Sequence, residues 1–487
     1  MNKDTIVVIT QNLDRRQMRK NQYILAVVVS ILSFAQGNFM GWISPVLPLL
    51  QSKDTPAAFP PIGDEEASWI SSVSSLASVL YIPLISYVAD KLGRKWAGYL
   101  VAAPFVTCWV LVLCADSVVI MYAARCLGGL SAGGAGILVP TFINDVAEDG
   151  IRGLLGTFFG LTVNLGTLYS YVAGSYVSYL WFNISCLVVP VAFLVGFFWI
   201  PESPLFLLTK GKEQEAKSTL AWLRDGRCTD EEFLRMKMRA EDFVKNKQNK
   251  VTLSDITDRG TFRALLICLG IMANASLSGS GSIMAYSVTI FQDSGSTLSP
   301  NVSTIIIGAI MVFGGFFSTV VIEKSGRRLL LIAGNITISV CLFLLGLFFY
   351  LKNSGSDVHF IQWIPITSLS GFVFCFGCTL GPITFILTTE LPSAKARGMV
   401  QSVSIIFVSV AMFLITKTFT ILSHLMGAYG CFWLYGSVCV LSSVVIYLTV
   451  PETKNRSSED IVSQLNSEQY IMSVISRKHI HTVKSMK

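Results

Sequence analysis

Long stretches without a charged residue constrain this chain more than any other feature of its sequence. A helix that crosses about 30 Å of hydrocarbon needs about 20 predominantly apolar residues. The stretches between consecutive Lys, Arg, Asp and Glu positions that reach this length are Asn21–Ser52, Ala67–Ala89, Trp96–Ala115, Cys126–Asn144, Gly153–Pro201, Ala264–Gln292, Ser294–Ile322, Leu329–Leu351, Val358–Thr389, Gly398–Thr416 and Thr418–Pro451. Gly153–Pro201 is long enough for two spans with a break near Ser178–Asn183. The sequence therefore predicts an all-α membrane protein with twelve transmembrane helices in two six-helix bundles.

The composition excludes the other broad classes of protein. Only 14% of the 487 residues are charged and 52% are hydrophobic. In soluble domains, by contrast, roughly a quarter of all residues are charged. A soluble multidomain protein, a disordered chain, a fibrous repeat and a disulfide scaffold are all inconsistent with these values.

The distribution of basic residues predicts the orientation in the membrane. With both termini in the cytoplasm, only three of the 37 Lys and Arg residues, Lys53, Lys352 and Lys417, lie in outer loops. Arg125 lies inside the fourth span, and the other basic residues are cytoplasmic, as the positive-inside rule requires. The net charge of +7 is explained by this bias, and a nucleic-acid partner is not expected. The chain is therefore predicted to be a multi-pass protein of the plasma membrane.

The charged block Glu202–Arg263 divides the chain into five predicted parts. They are a cytoplasmic tail (1–21), an N-terminal six-helix bundle (22–200), a cytoplasmic helical linker (201–263), a C-terminal six-helix bundle (264–450) and a second cytoplasmic tail (451–487). Helical spacing of apolar residues predicts one linker helix over Lys212–Arg224, and a capping box at Thr229–Glu232 opens another. The polar tail Asn455–Lys487 is expected to be mostly disordered.

Three pairs of charged motifs recur in the same order in both halves. They are Asp90–Lys95 with Glu323–Arg328, Asp145 and Arg152 with Glu390 and Arg397, and Pro201–Ser203 with Pro451–Thr453. An internal repeat of this kind is typical of transporters built from duplicated bundles. Exposed ion pairs are worth about 0–1 kcal/mol each, so a cluster of them could bias a conformational equilibrium without freezing it. The predicted gating residues are Asp90, Arg94, Asp145, Arg152, Glu202, Glu323, Arg327, Glu390, Arg397 and Glu452; the alternative is that these charges only fix the topology.

These motifs, over roughly residues 20 to 460, resemble the sugar porter family of the major facilitator superfamily. The resemblance rests also on Arg125-x-x-Gly128-Gly129, Pro140–Asp145, Pro204 and Lys454, and Glu66–Trp69, Thr416–Phe419 and Gly427–Leu434 further resemble its insect trehalose-facilitator branch. The family implies alternating access, in which two halves rock about a central solute site.

The positions at which this family contacts sugars are largely substituted. The Gln-Gln-x-Ser-Gly-x-Asn signature of the seventh span reads Ala275–Gly281 here, the Asn of the eighth span is Met311, and the Asn-Trp of the eleventh is Val408-Ser409. The polar position of the fifth span falls on Gly160, the Tyr and Glu of the fourth are Phe142 and Asp145, and in the tenth the acidic position falls on Gly377 and Pro-Trp becomes Thr384-Phe385. Each lost hydrogen bond removes about 0.5–1.5 kcal/mol from a site that, at millimolar affinity, is worth only about 4 kcal/mol. The sequence therefore predicts a less hydroxylated solute or a weakened sugar site, with candidate contacts at Asn38, Asn164, Ser276, Ser278, Ser280, Ser282, Tyr286, Thr384 and Phe385.

Arg125 is a buried charge that decides between coupled and uncoupled transport. In proton-coupled sugar porters an Asp of the first span faces this Arg, but the aligned residue here is Phe39 and the first span has no carboxylate. Proton coupling needs a group whose pKa depends on conformation. Arg125 is interpreted as a packing anchor bonded to carbonyls and hydroxyls, with a direct solute role as the alternative.

The sequence thus predicts facilitated transport of a sugar such as trehalose or glucose, or of a related small polar solute. The alternatives are a non-transporting solute sensor on the same scaffold and a proton-coupled sugar symporter. No catalytic, metal or cofactor site is expected, because the four His are scattered and neither a phosphate-binding loop nor zinc-ligand spacing is present. The expected partners are the solute and the lipid bilayer, and the oligomeric state is left open.

Overall fold

The computed structural model describes an almost entirely helical chain. It covers residues 20–148, 151–226, 230–248, 258–296, 298–393, 395–454, 456, 458–467 and 470, without the side chains of Arg152, Leu154, 245–248, Glu323, Ser458 and Glu459. The first nine helices are α1 (Lys20–Gln51), α2 (Asp64–Lys91), α3 (Arg94–Leu113), α4 (Val118–Val146), α5 (Arg152–Tyr176), α6 (Tyr179–Phe198), α7 (Pro204–Thr209), α8 (Glu213–Leu223) and α9 (Asp230–Gln248). They are followed by α10 (Arg259–Leu277), α11 (Ser280–Ala285), α12 (Ser287–Ser294), α13 (Pro300–Ser325), α14 (Arg327–Asn353), α15 (Ile364–Cys375), α16 (Gly381–Glu390), α17 (Arg397–Thr449) and α18 (Ser458–Asn466).

The predicted twelve membrane helices are confirmed. Ten helical segments in the described part of the chain are long and apolar enough to cross a bilayer. One of them, α17, bends at Gly427, where φ is 73° and ψ is 161°, and so comprises two membrane helices. The twelfth is α5, which is more polar, and the predicted break before α6 lies at Val177–Ser178.

Two of the predicted spans are interrupted within the membrane. The seventh is divided into α10, α11 and α12, and the tenth contains a π-helical turn at Phe376–Leu380 between α15 and α16. Such interruptions release backbone groups from the regular hydrogen-bond ladder and often occur at functional sites. Both interruptions lie near predicted solute contacts.

The helices form two compact units. The first consists of Met1–Lys250, Ile283–Asp293 and Leu298–Val312, and the second of Val251–Ser282, Ser294–Thr297 and Phe313–Lys487. The first unit therefore includes short segments of the seventh and eighth spans in addition to the predicted N-terminal bundle. The predicted domain boundaries at 200 and 264 stay a prediction.

The linker between the bundles is helical, as predicted. The predicted helix over Lys212–Arg224 is confirmed as α8, and a second helix, α9, begins at Asp230; the capping residue Thr229 lies outside the described residues. Apolar residues of α7, α8 and α9 form a small core that includes Leu207, Leu220 and Met236. This core gives the linker a packed structure within the first unit.

The C-terminal tail contains a short helix in its described part. Residues Ser458–Asn466 form α18, which buries Ile461 and Leu465, while residues 471–487 lie outside the described part. The Arg263 guanidinium donates to the carbonyl oxygens of Leu465 and Ser467 at 2.6 and 2.7 Å. Packing against α10 and a cation at the helix C-terminus stabilise this helix, which would be marginal alone. The expectation that the tail as a whole is mostly disordered stays a prediction.

Candidate functional site

The first charged cluster is centred on Arg94, at the start of α3. Its Nε donates to Oδ2 of Asp145 at 2.7 Å, and its Nη1 donates to the carbonyl of Ala89 at 2.9 Å and lies 3.8 Å from Oδ1 of Asp90. Ser203 also donates to Asp145, at 3.0 Å. Arg94 and Asp145 are both buried, and removing one partner of a buried ion pair typically costs 3–5 kcal/mol. The cluster therefore holds the ends of α2, α3 and α4 to the segment after α6.

Glu202 contributes to this cluster by capping a helix rather than by pairing with a side chain. Its carboxylate accepts hydrogen bonds from the backbone amides of Arg94 at 2.9 Å, Lys95 at 3.0 Å and Ser203 at 2.8 Å. In return, Nζ of Lys95 donates to the carbonyl of Phe198, the last residue of α6, at 2.9 Å. A negative charge at a helix N-terminus and a positive charge at a C-terminus are both favourable. The start of α3 and the end of α6 therefore cap each other.

This reciprocal cap requires a glycine at position 93. Gly93 has φ of 110°, and a Cβ there would lie 2.2 Å from Oε2 of Glu202. Any other residue would be strained in this backbone conformation and would push the carboxylate away from the amides. The Gly of the repeated motif is thus explained by the approach of Glu202.

The second unit contains the same arrangement, centred on Arg327. Nη2 of Arg327 donates to Oε1 of Glu390 at 3.1 Å, and the Thr453 hydroxyl donates to Oε2 of the same carboxylate. Glu452 accepts from the backbone amides of Arg327 at 2.9 Å and Arg328 at 3.3 Å, as well as from Thr453 and Lys454 at 3.1 Å.

The equivalents of Gly93 and Lys95 complete this second copy. Arg328 donates to the carbonyl of Tyr447, in the last turn of α17. Gly326 has φ of 86°, and a Cβ there would lie 2.7 Å from Oε2 of Glu452. The sequence repeat is therefore also a repeat of hydrogen bonds.

The described partners of Arg94 and Arg327 lie within the same unit as the arginine. Seven of the predicted gating residues thus form two internal clusters that fasten helix ends together, one with Asp90, Arg94, Asp145 and Glu202 and the other with Arg327, Glu390 and Glu452. The side chains of Arg152 and Glu323 are outside the described part of the structure, and Arg397 lies at the start of α17. Their predicted gating role stays a prediction.

Arg125 is buried in α4 and is bound by carbonyl groups and aromatic rings. Its Nε donates to the carbonyl of Ile70 at 3.0 Å, and its Nη1 donates to the carbonyl of Phe39 at 3.1 Å. The guanidinium carbon lies 4.1 Å from the ring centre of Phe39 and 5.6 Å from that of Trp42. Among the described residues no carboxylate lies within ion-pair distance of it. A cation–π contact of a desolvated group is worth about 2 kcal/mol. Here such contacts with Phe39 and Trp42 stabilise the buried charge.

The predicted serine contacts of the seventh span are buried and bonded to the backbone. Ser276 donates to the carbonyl of Met272, Ser278 and Ser280 both donate to that of Ala275, and Ser282 donates to Ile415. Each of these side chains is almost fully inaccessible. Their hydroxyl oxygens keep free lone pairs, so a solute role would require this segment to open.

The other predicted contacts differ in accessibility. Asn38 is fully buried and its Oδ1 accepts from the Ser170 hydroxyl at 2.6 Å, while Nδ2 of Asn164 donates to the Met311 carbonyl at 3.3 Å. Tyr286 is buried and the Thr384 hydroxyl donates to the carbonyl of Leu380. Phe385 is 50% exposed, which makes it the most accessible member of the predicted set.

Ser44 is a polar contact that sequence reasoning missed. Its hydroxyl oxygen lies 3.3 Å from the Ser287 hydroxyl and accepts from the Val288 amide at 3.3 Å, within the first unit. The amide is available because α12 begins at Ser287. A lone serine in a long apolar helix carries no signal that would mark this contact.

The fold is shared with sugar transporters of known structure. The xylose transporter XylE from E. coli in its inward-open conformation superposes with a TM-score of 0.74 at 18% identity, covering 91% of this chain and 99% of that one. Its partially occluded inward-open structure gives 0.73 at 19% identity, covering 90% and 100%. Twelve membrane helices, a helical linker between the sixth and seventh, and a duplicated charged cluster define an integral membrane transporter with the major facilitator fold.

The sequence relatives place the chain in a family within this class. The family model described as "Sugar (and other) transporter" matches residues 25–465. The facilitated trehalose transporter Tret1 of Culex quinquefasciatus is 34% identical over 450 residues, which is 91% of this chain and 85% of the relative. Tret1 of Polypedilum vanderplanki is 34% identical over 447 residues, or 90% and 87%. The chain belongs to the sugar transporter family.

Proposed function

We propose that this protein is a uniporter that moves a sugar or a sugar-like polar solute down its gradient by alternating access. Membership of the sugar transporter family and the similarity to proteins named facilitated trehalose transporters support a sugar as the solute. The asymmetry of basic residues supports an orientation with both termini in the cytoplasm, and the membrane that we propose is the plasma membrane.

The environment of Arg125 is the observation that carries the uniport mechanism. A symporter must contain a group that exchanges a proton as the conformation changes. In the described structure Arg125 is bonded to two carbonyl oxygens and stacked on Phe39. An arginine stays protonated at neutral pH, so this arrangement offers no titration that could couple transport to a proton gradient.

The repeated clusters support a mechanism of rigid-body movement. Reciprocal caps and buried ion pairs tie the cytoplasmic ends of helices together inside each unit. A bundle fastened in this way can move as one body, and the predicted gating residues then act by keeping the helix ends in register. The candidate solute contacts, Phe385 among them, remain part of the proposal.

Uptake by the purified protein in liposomes tests the function and the mechanism together. Labelled trehalose, glucose and a polyol are supplied with and without an inward proton gradient, and protein-free liposomes are the control. The expected result is a saturable flux that stops at equal concentrations and does not change with the gradient. Accumulation above the outside concentration when the gradient is present would establish symport instead. Binding without flux for every solute would favour the sensor.

A matched pair of phenylalanine variants tests the solute site. Phe385 and Phe316 both lie in the second unit and are 50% and 63% exposed. Of the two, Phe385 is a proposed solute contact and Phe316 is not. Loss of one aromatic contact of about 1–1.5 kcal/mol should raise the KM of Phe385→Ala about tenfold and leave Phe316→Ala unchanged. Equal KM values for the two variants would remove Phe385 from the site.

A further inference from the structure

Two lysines with aromatic neighbours stand at the ends of α2 and α3 in the first unit. Nζ of Lys91 lies 5.6 Å from the ring centre of Tyr87, and Nζ of Lys95 lies 5.9 Å from that of Phe198. Lys91 is exposed and Lys95 is half-buried. In the predicted topology these helix ends lie at the cytoplasmic surface of the bilayer.

Large aromatic side chains that contact the two lysines, or that follow Lys95 and Phe198 in the sequence, are exposed in the described structure. Trp96 is 61% exposed, Tyr87 60%, Phe198 68% and Trp199 70%, and the rings of Phe198 and Trp199 are in contact. Trp and Tyr are enriched where a membrane helix leaves the hydrocarbon, because their rings suit the headgroup region. We call Tyr87, Lys91, Lys95, Trp96, Phe198 and Trp199 the lysine–aromatic patch.

Neither ammonium group of the patch is neutralised by an acid in the described structure. The Lys91 ammonium lies over the Tyr87 ring, and the Lys95 ammonium lies over the Phe198 ring and donates one hydrogen bond to the Phe198 carbonyl. The neighbouring acids have other contacts. Glu202 accepts from three backbone amides, Asp145 binds Arg94 and Ser203, and Asp90 lies 3.8 Å from Arg94. The Lys95 ammonium is therefore fixed by one hydrogen bond in the described structure, and its other N–H groups can donate to a ligand.

The second unit repeats part of this arrangement. The guanidinium carbon of Arg328 lies 5.0 Å from the ring centre of Tyr447, which is 48% exposed, and the following residue, Leu329, is 57% exposed. A cation capping the end of the last helix of a bundle beside an exposed aromatic ring thus occurs in both halves. The repetition indicates that the combination belongs to the bundle design and is not an accident of one loop.

We propose that the lysine–aromatic patch binds the headgroup of an anionic phospholipid of the cytoplasmic leaflet. The phosphate would accept hydrogen bonds from the Lys91 and Lys95 ammonium groups, and the acyl chains would run along the exposed apolar surface beside Trp96 and Phe198. A basic residue near a membrane surface contributes about 1 kcal/mol to the binding of anionic lipid. The patch is outside the proposed solute site, so this inference does not depend on which solute is carried.

Native mass spectrometry of the detergent-purified protein measures this binding directly. Phosphatidylserine and phosphatidylcholine with identical acyl chains are titrated against the wild type and the double variant Lys91→Gln/Lys95→Gln. The double variant should bind phosphatidylserine about 25-fold more weakly, since about 1 kcal/mol per lysine corresponds to about fivefold each. Its binding of phosphatidylcholine should not change.

The control variant removes the same charge elsewhere on the cytoplasmic side. Lys212→Gln/Lys217→Gln changes two exposed lysines that already pair with Glu215 and Asp230, and its lipid binding should match the wild type. If the double variant at the patch fails to fold, Lys91→Gln alone should still show the fivefold loss, because the Lys91 side chain is exposed and its ammonium lies over the Tyr87 ring. Equal phosphatidylserine binding by wild type and patch variants, or no preference over phosphatidylcholine, would overturn the proposal.

Discussion

Replacing Glu202 by Gln perturbs the reciprocal cap with almost no change in shape. In the native protein Oε1 accepts from the amides of Arg94 and Ser203, and Oε2 accepts from that of Lys95. A glutamine keeps one acceptor oxygen and presents an NH2 group in place of the other. At least one backbone N–H at the start of α3 would then face another donor.

The magnitude follows from the number and kind of hydrogen bonds. A hydrogen bond to a charged group contributes about 1.5–3 kcal/mol and a neutral one about 1 kcal/mol. Losing one charged acceptor and weakening two others should destabilise the first unit by about 3 kcal/mol. Glu452→Gln should cost less, because Oε1 of Glu452 serves three amides at 2.9–3.1 Å and Oε2 serves only the amide of Arg328, at 3.3 Å.

Thermal unfolding in detergent, followed by fluorescence-detected size-exclusion chromatography at a fixed heating time, measures these effects. For units of this size about 2 °C or more is expected per kcal/mol, so Glu202→Gln should lower the midpoint by about 6 °C and Glu452→Gln by less. Glu65→Gln is the control, since that side chain is exposed at the start of α2. A midpoint for Glu202→Gln equal to that of the control would refute the assignment of Glu202 as a helix cap.

Two further predictions concern the glycine of the cap and the C-terminal helix. Gly326→Ala places a Cβ 2.7 Å from the Glu452 carboxylate at a positive φ, so it should lower the unfolding midpoint by the equivalent of about 1–3 kcal/mol. The control is Gly156→Ala in α5, which has open space around the added Cβ and should leave the midpoint unchanged. Equal midpoints for the two variants would contradict the role of Gly326. Arg263→Gln removes two charged hydrogen bonds from the end of α18. A loss of about 2 kcal/mol in the free energy of docking this helix corresponds to roughly thirtyfold faster proteolysis of the tail. The control Lys212→Gln should be cleaved at the wild-type rate, and equal resistance of the tail in both variants would count against docking through Arg263.

The membrane helices could be predicted because hydrocarbon forbids unpaired charge. The absence of Lys, Arg, Asp and Glu from runs such as Leu329–Leu351 is a requirement of the solvent and needs no knowledge of the packing. The repeat of Asp90–Lys95 in Glu323–Arg328 likewise indicated the duplication before any contact was known. What the repeat could not show was that Glu202 binds backbone amides, since an acid after a helix looks the same in sequence whether it caps or pairs.

The solute contacts were the least predictable part. A serine in a membrane helix can donate to a carbonyl of the preceding turn, as Ser276 does to Met272, so its presence does not reveal whether it faces a solute. The helix α18 could not be predicted either, because a helix this short is not stable alone and the Arg263 side chain that binds its end lies far away in the sequence. The exposure of such a serine and the folding of such a short helix are features that only tertiary contacts decide.

Duplication of the charged cluster also has a consequence for biogenesis. Every residue of the first copy, from Ala89 to Ser203, has been synthesised before the second linker helix begins. At roughly 5–20 residues per second, ribosomes need roughly 10–50 s more to reach Thr453, which completes the second copy. During that interval every partner of the first cluster is already present in the nascent chain, whereas the second cluster is still incomplete.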